Sequence, residues 1–180
     1  MSSGPARILL TGPPGCGKTT AIMRIVEQLG CPKVAGFYTQ EIRQGGKRLG
    51  FRFKRLDGPE GILAHRSIKG PYRVGGYGVD IAAFEESVVP LLHPGRSEAR
   101  LFVIDEIGKM ECLSTMFVTA VRRLLESDRS VLATVAQKGG GFIREVKEHP
   151  AVALFSLRRE NRERVVVEIA GILASVDLTG

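Results

Sequence analysis

The chain has 180 residues, 43% hydrophobic and 25% charged, with 26 Lys and Arg against 19 Asp and Glu for a net charge of +7. That length predicts one domain over 1–180 whose core covers roughly 70% of the unfolded surface, and the composition argues against wholesale disorder. Three isolated cysteines (Cys16, Cys31, Cys112) and three distant histidines (His65, His93, His149) make neither a disulfide framework nor a zinc motif.

A strand is predicted over 7–10, followed by a glycine-rich turn and a helix over 18–29. Ile22, Ile25, Val26 and Leu29 recur on that helix at one-face spacing, with Gly30 and Pro32 as its stop. Residues 34–42 read as a second strand, and Gly45-Gly46 turns the chain back into 49–56. Residues 57–78 carry six glycines and two prolines and predict turns and short strands. Asp80 caps a helix to about Leu92, with Ile81, Phe84, Val88 and Leu91 inward. An apolar strand over 101–104 follows. Ser114 caps a helix whose Phe117, Val121, Leu124 and Leu125 share a face. Strands at 130–135 and 152–157 bracket a short helix at 142–149, and a last helix spans 163–176 with Val165, Ile169, Ile172 and Leu173 as its stripe. The alternation predicts an α/β fold with a mostly parallel sheet, helices on both faces and an inserted antiparallel hairpin. Ligands of such sheets bind at the carboxyl ends of the strands.

The turn after the first strand is Gly12-Pro13-Pro14-Gly15-Cys16-Gly17-Lys18-Thr19, a full G-x-x-x-x-G-K-[ST] match between a strand and a helix. Glycines let successive N–H groups close around a phosphate, and the helix points its positive end at the same anion. Lys18 then reaches the β- and γ-phosphates, and the Thr19 hydroxyl is a ligand for Mg²⁺. Cys16 reads as a small filler of the loop, and Thr20 stands either beside the phosphates or as an ordinary helix residue.

Asp105 ends the apolar run Leu101-Phe102-Val103-Ile104, placing a carboxylate at the sheet's carboxyl edge where it can organise Mg²⁺ with Thr19. Glu106, the next residue, is placed to orient water against the γ-phosphate. Ile107, Gly108, Lys109 and Met110 continue this stretch along the nucleotide. Glu111 is either a second acid or an ion-pair partner of Lys109. For developing charge, Arg158, Arg159 and Arg162 after the last strand and Arg43 and Arg48 on the hairpin are candidates. Arg162 stands out because it occupies the strand-to-helix turn.

These residues together resemble the small nucleoside-triphosphatases first described from thermophiles, which include the cancer-related nucleoside-triphosphatase of vertebrates. The resemblance is carried by Thr11 through Thr20, Gly36-Phe37-Tyr38-Thr39 with Glu41 and Arg43, Gly50-Phe51, Val74-Gly75, Tyr77 with Val79-Asp80, Val103 through Glu111, and Glu160-Asn161-Arg162. It implies a P-loop fold and Mg²⁺-dependent hydrolysis of ATP, GTP and other nucleoside triphosphates, with broad base tolerance and slow turnover. Ala136-Gln137-Lys138-Gly139-Gly140-Gly141 departs from the isoleucine- and proline-containing connection expected after the preceding strand.

The phosphate loop also suits a nucleotide or small-molecule kinase, against which the Asp105-Glu106 pair stands. The basic stretch Arg43, Lys47, Arg48, Arg52, Lys54 and Arg55 admits a nucleic-acid module with Phe37, Tyr38, Phe51 and Phe53 as stacking rings. Alternation, however, turns Phe51 and Phe53 toward one core face, so nucleic acid stays a secondary partner. The expectation is a monomeric, cytoplasmic enzyme acting on nucleoside triphosphates away from membranes.

Overall fold

Alternating hydrophobicity decides which way each strand faces. The computed structural model describes residues 4–30, 33–176 and 178. In β1 (Arg7–Thr11), Ile8 and Leu10 face one layer while Leu9 faces the other. The same alternation runs through β7 (Leu101–Ile107), where Leu101 and Val103 oppose Phe102 and Ile104. Strands apolar on both sides must be covered on both sides. Helices α1 (Lys18–Leu29) and α5 (Arg162–Ala174) cover one face; α2 (Ile81–Val88), α3 (Thr115–Glu126) and α4 (Phe142–Glu148) cover the other.

The remaining strands are β2 (Val34–Gln44), β3 (Lys47–Arg55), β4 (Glu60–His65), β5 (Arg73–Val74), β6 (Tyr77–Val79), β8 (Ser130–Val135) and β9 (Ala153–Ser156). All pair in one sheet of order β5-β6-β4-β3-β2-β7-β8-β1-β9. From β2 to β9 every pairing is parallel; from β2 outward to β5 every pairing is antiparallel. The predicted hairpin is therefore the root of a larger antiparallel meander, because the glycine-rich stretch after β3 supplies three more strands.

Phe84 centres the second layer, with its ring 5.4 Å from Phe117, 5.6 Å from Phe37 and 6.0 Å from Phe53. Asp80 caps α2 through the Ala83 N–H and Ser114 caps α3 through the Phe117 N–H, both as predicted. Two inward assignments change. The chain tightens into a 3-10 turn over Val89–Leu92, with Pro90 inside it, which rotates Leu92 into the core in place of Leu91. On α5, Val166 is buried and Ile172 is 36% exposed, because the buried stripe follows Val165, Ile169 and Leu173 on the side packed against α1. Helix α1 ends on Gly30, whose N–H bonds the Glu27 carbonyl; Cys31 and Pro32 lie outside the described residues.

Five of the six cations of the basic stretch have an acidic partner where they stand. Arg43 and Arg48 share Glu41, Arg52 and Lys54 share Glu60, and Arg55 pairs with Asp57. Phe37 and Phe53 are core residues, which removes two of the four rings considered for base stacking. No helix among the described residues is long and apolar enough to cross a membrane.

Candidate active site

The loop Gly12–Thr19 leaves the end of β1, between β8 and β9. Two glycines fix its path. A Cβ on Gly12 would lie 2.4 Å from the Leu157 carbonyl oxygen, so only a glycine lets the loop pass the end of β9. Gly17 has φ 94°, in the region that favours glycine, and opens α1 without a side-chain cap. The first-turn N–H groups are thus left facing the loop, ready for an anion. Lys18 Nζ donates to the Gly12 carbonyl at 2.9 Å and reaches the Pro13 carbonyl at 3.4 Å, so its ammonium already lies over the loop. Cys16 is buried beneath the loop as packing, and Thr20 is exposed.

Asp105 meets the loop from β7. The Thr19 hydroxyl donates to its Oδ2 at 2.6 Å across 86 residues of chain. The Thr134 hydroxyl of β8 donates to its Oδ1 at 2.5 Å, and the backbone of Thr39 on β2 contributes a further bond. Asp105 is 1% exposed. Burial pushes its carboxyl above the usual range, while these donors and Lys18 oppose the rise. Hydroxyl and carboxylate oxygens side by side are the donor set a hard cation such as Mg²⁺ prefers. No group of three or more His, Cys, Asp or Glu that could hold a metal ion occurs among the described residues.

Glu106 follows Asp105 through a cis peptide and makes no side-chain hydrogen bond or ion pair among the described residues. Burial raises its carboxyl most; Lys18 opposes the shift, Asp105 adds to it and Lys147 of α4 opposes it. Lys147 donates to the Gln137 carbonyl at 2.8 Å, tying the glycine-rich connection back onto α4. Of the flanking stretch, Val103, Ile104, Ile107 and Gly108 are buried, Met110 is half-buried and Lys109 is exposed. Lys109 makes no ion pair with Glu111, which is buried instead.

Arg162 is the arginine that the fold brings to the loop. A Cβ on Gly17 would meet its Nη1 at 2.9 Å, so the guanidinium lies against the phosphate loop. Asn161 shapes the turn that presents it, accepting from the Arg158 N–H at 2.8 Å and donating to the Ser156 carbonyl at 2.9 Å. Arg24 on α1 grips the neighbouring Glu163 with two bonds of 2.6 and 2.7 Å. Arg43 and Arg48 are committed to Glu41 on the hairpin.

Sequence reasoning missed Thr134 and Lys147. Thr134 left a faint signal, a hydroxyl within the otherwise apolar run Val131 to Val135. Lys147 left none, since its approach to Glu106 depends on how α4 folds back from β8.

Comparison with known proteins shows the family and the fold. The sequence model of a family described as NTPase matches residues 7–170. The chain is 41% identical over 169 residues to the nucleoside-triphosphatase THEP1 of Thermotoga petrophila, covering 93% of this chain and 92% of that protein. It is 38% identical over 187 residues to the human cancer-related nucleoside-triphosphatase, covering 93% and 96%. The crystal structure of THEP1 from the hyperthermophile Aquifex aeolicus superposes with a TM-score of 0.84 at 34% identity, covering 93% of this chain and 98% of that one. The solution structure of the human protein gives a TM-score of 0.78 at 37% identity, covering 93% and 97%. On a match of this extent, the chain belongs to the NTPase family.

Proposed function

We propose that the protein hydrolyses nucleoside triphosphates to diphosphate and phosphate in a Mg²⁺-dependent reaction, with broad tolerance of the base and slow turnover. One observation carries the reading: Asp105 is bonded to Thr19 of the phosphate loop while the adjacent Glu106 carboxylate is left uncommitted beside it. The names of the relatives, which specify nucleoside triphosphates and no base, support the breadth. Slow turnover rests on the family resemblance.

In this reading the loop amides and Lys18 bind the β- and γ-phosphates. Thr19 and Asp105 hold Mg²⁺, which when bound offsets phosphate charge. Glu106 orients a water in line with the γ-phosphorus and takes up its proton. The water oxygen bonds to phosphorus as the bond to the bridging β-oxygen breaks, and that oxygen leaves on the diphosphate. A carboxyl raised by burial is a better base for this task than an exposed one. Arg162, lying against Gly17, stabilises the charge that grows on the phosphoryl and bridging oxygens.

Phosphate release from ATP, GTP, CTP and UTP with Mg²⁺ and no acceptor tests the proposal. Steady release from several nucleotides, lost in Lys18→Ala and on chelation of Mg²⁺, is the expected result. Tight nucleotide binding with no release until an acceptor is added would identify a kinase instead.

A further inference from the structure

Glu111 is the titratable group at this site that the proposed reaction does not use. It is 5% exposed and lies in a 3-10 turn, Glu111–Leu113, between β7 and the Ser114 cap of α3. The turn is knitted by its own backbone, with Cys112 N–H to the Gly108 carbonyl at 3.0 Å and Ser114 N–H to the Glu111 carbonyl at 3.1 Å. Side chains on such a braced turn have little freedom to move. A Cβ on Gly108 would meet Glu111 Oε2 at 2.8 Å and Glu106 Oε1 at 3.1 Å. The two carboxyl groups therefore converge on one side of Gly108, and the lack of a side chain there lets them approach.

The charged groups acting on Glu111 are Glu106 and Asp105, both acidic, and Lys109 makes no pair with it. The backbone amides of Gly108 and Glu111 offer partial compensation. Burial, then the Glu106 charge, pushes the Glu111 carboxyl up to about 8, so near pH 7 it keeps its proton. A buried acid with a proton to donate, beside a carboxylate that lacks a hydrogen-bond partner, has one evident use.

We propose that Glu111 is a positioning residue: its carboxylic acid donates a hydrogen bond to the Glu106 carboxylate and fixes the direction in which Glu106 faces the attacking water. This rests on the reading that Glu106 orients water. A carboxyl that merely braced the turn would alter folding and nucleotide affinity, not turnover alone. Misplacing a reacting group by about 1 Å can cost on the order of 100-fold in rate, which makes such a bond worth keeping.

Glu111→Gln and Glu111→Met have similar volumes, but only Gln donates a hydrogen bond. Phosphate release from ATP separates them. The Gln variant is expected to stay within about threefold of wild-type kcat, and the Met variant to fall about tenfold or more with KM within about twofold. Placed on Glu106→Gln, the Met substitution is expected to change kcat by less than about twofold, because the group it positions is already lost. Wild-type kcat in Glu111→Met, equal losses in the Gln and Met variants, or a full Met effect on Glu106→Gln would each overturn the proposal. Full activity in Glu106→Gln would instead overturn the reading beneath it. Should Glu111→Met fail to fold, infrared absorption decides: a protonated carboxyl band near pH 7 that disappears in Glu111→Gln is expected, and its absence overturns the proposal.

Discussion

The parallel and antiparallel halves of the sheet handle charge in opposite ways. In the parallel half, β7 and β8 are almost wholly buried, and Asp105 and Thr134, at the same end of the two strands, bond each other. In the antiparallel half, cations are abundant, and acids two to eight residues away pair with them locally. A charge count therefore misleads about where the chemistry lies. The dense basic stretch is mostly paired off, whereas the site depends on a few groups that burial makes individually consequential. A buried carboxylate costs far more to leave unpartnered than an exposed one, so its neighbours are specific.

The contrast can be broken by substitutions on either side of β2. Next to the complete loss expected in Lys18→Ala, the largest effect is expected from Arg162→Ala, whose guanidinium lies against Gly17: kcat should fall by about 10³-fold, the low end for arginines that offset transition-state charge. Steady-state phosphate release measures it, and loss of less than about threefold would remove Arg162 from the site. Glu106→Gln should slow hydrolysis by about 10- to 100-fold while a fluorescent nucleotide still binds with wild-type affinity. Unchanged kcat there would show that water is oriented by another group.

A smaller effect concerns stability. The folded Glu111 carboxyl holds its proton up to about 8 against an ordinary value of 4.5, so the unfolded chain releases that proton first. The stabilisation is complete below about 4.5 and is lost as pH rises through about 8. Thermal unfolding of the nucleotide-free protein should therefore show wild-type Tm dropping more than that of Glu111→Gln across this window; parallel curves would contradict it. The smallest change is expected in the antiparallel half. Glu41→Gln frees Arg43 and Arg48 from an exposed pairing and should cost less than about 1 kcal/mol in urea unfolding, with kcat unaltered. A marked loss of activity would mean that the hairpin charges serve the site after all.

Local rules carried the sequence a long way. The spacing from Gly12 to Thr19, the apolar run ending in Asp105, and the caps at Asp80 and Ser114 are signals within a few residues of each other, and each element they predicted is present. The periodic stripes failed at Leu91 and Ile172, where a 3-10 turn and the direction of α5 against α1 altered the inward face. The short strands expected within 57–78 are present, but nothing local tells that they pair onto the hairpin in one antiparallel array.

What the sequence determined by itself was the list of chemical parts: a phosphate loop with Lys18 and Thr19, a metal-suited Asp105, an adjacent Glu106 and a surplus of arginines. What only the tertiary structure decided was which parts meet. Thr19 and Asp105 touch because β7 lies two strands from β1, Thr134 reaches Asp105 through the β7–β8 register, and Arg162 reaches Gly17 because α5 packs beside α1. Glu111 turned from a possible partner of Lys109 into a buried neighbour of Glu106 for the same reason. Element formation is governed by forces along the chain, whereas strand order and helix docking follow from burying apolar surface between distant segments, which leaves no signature at any single residue.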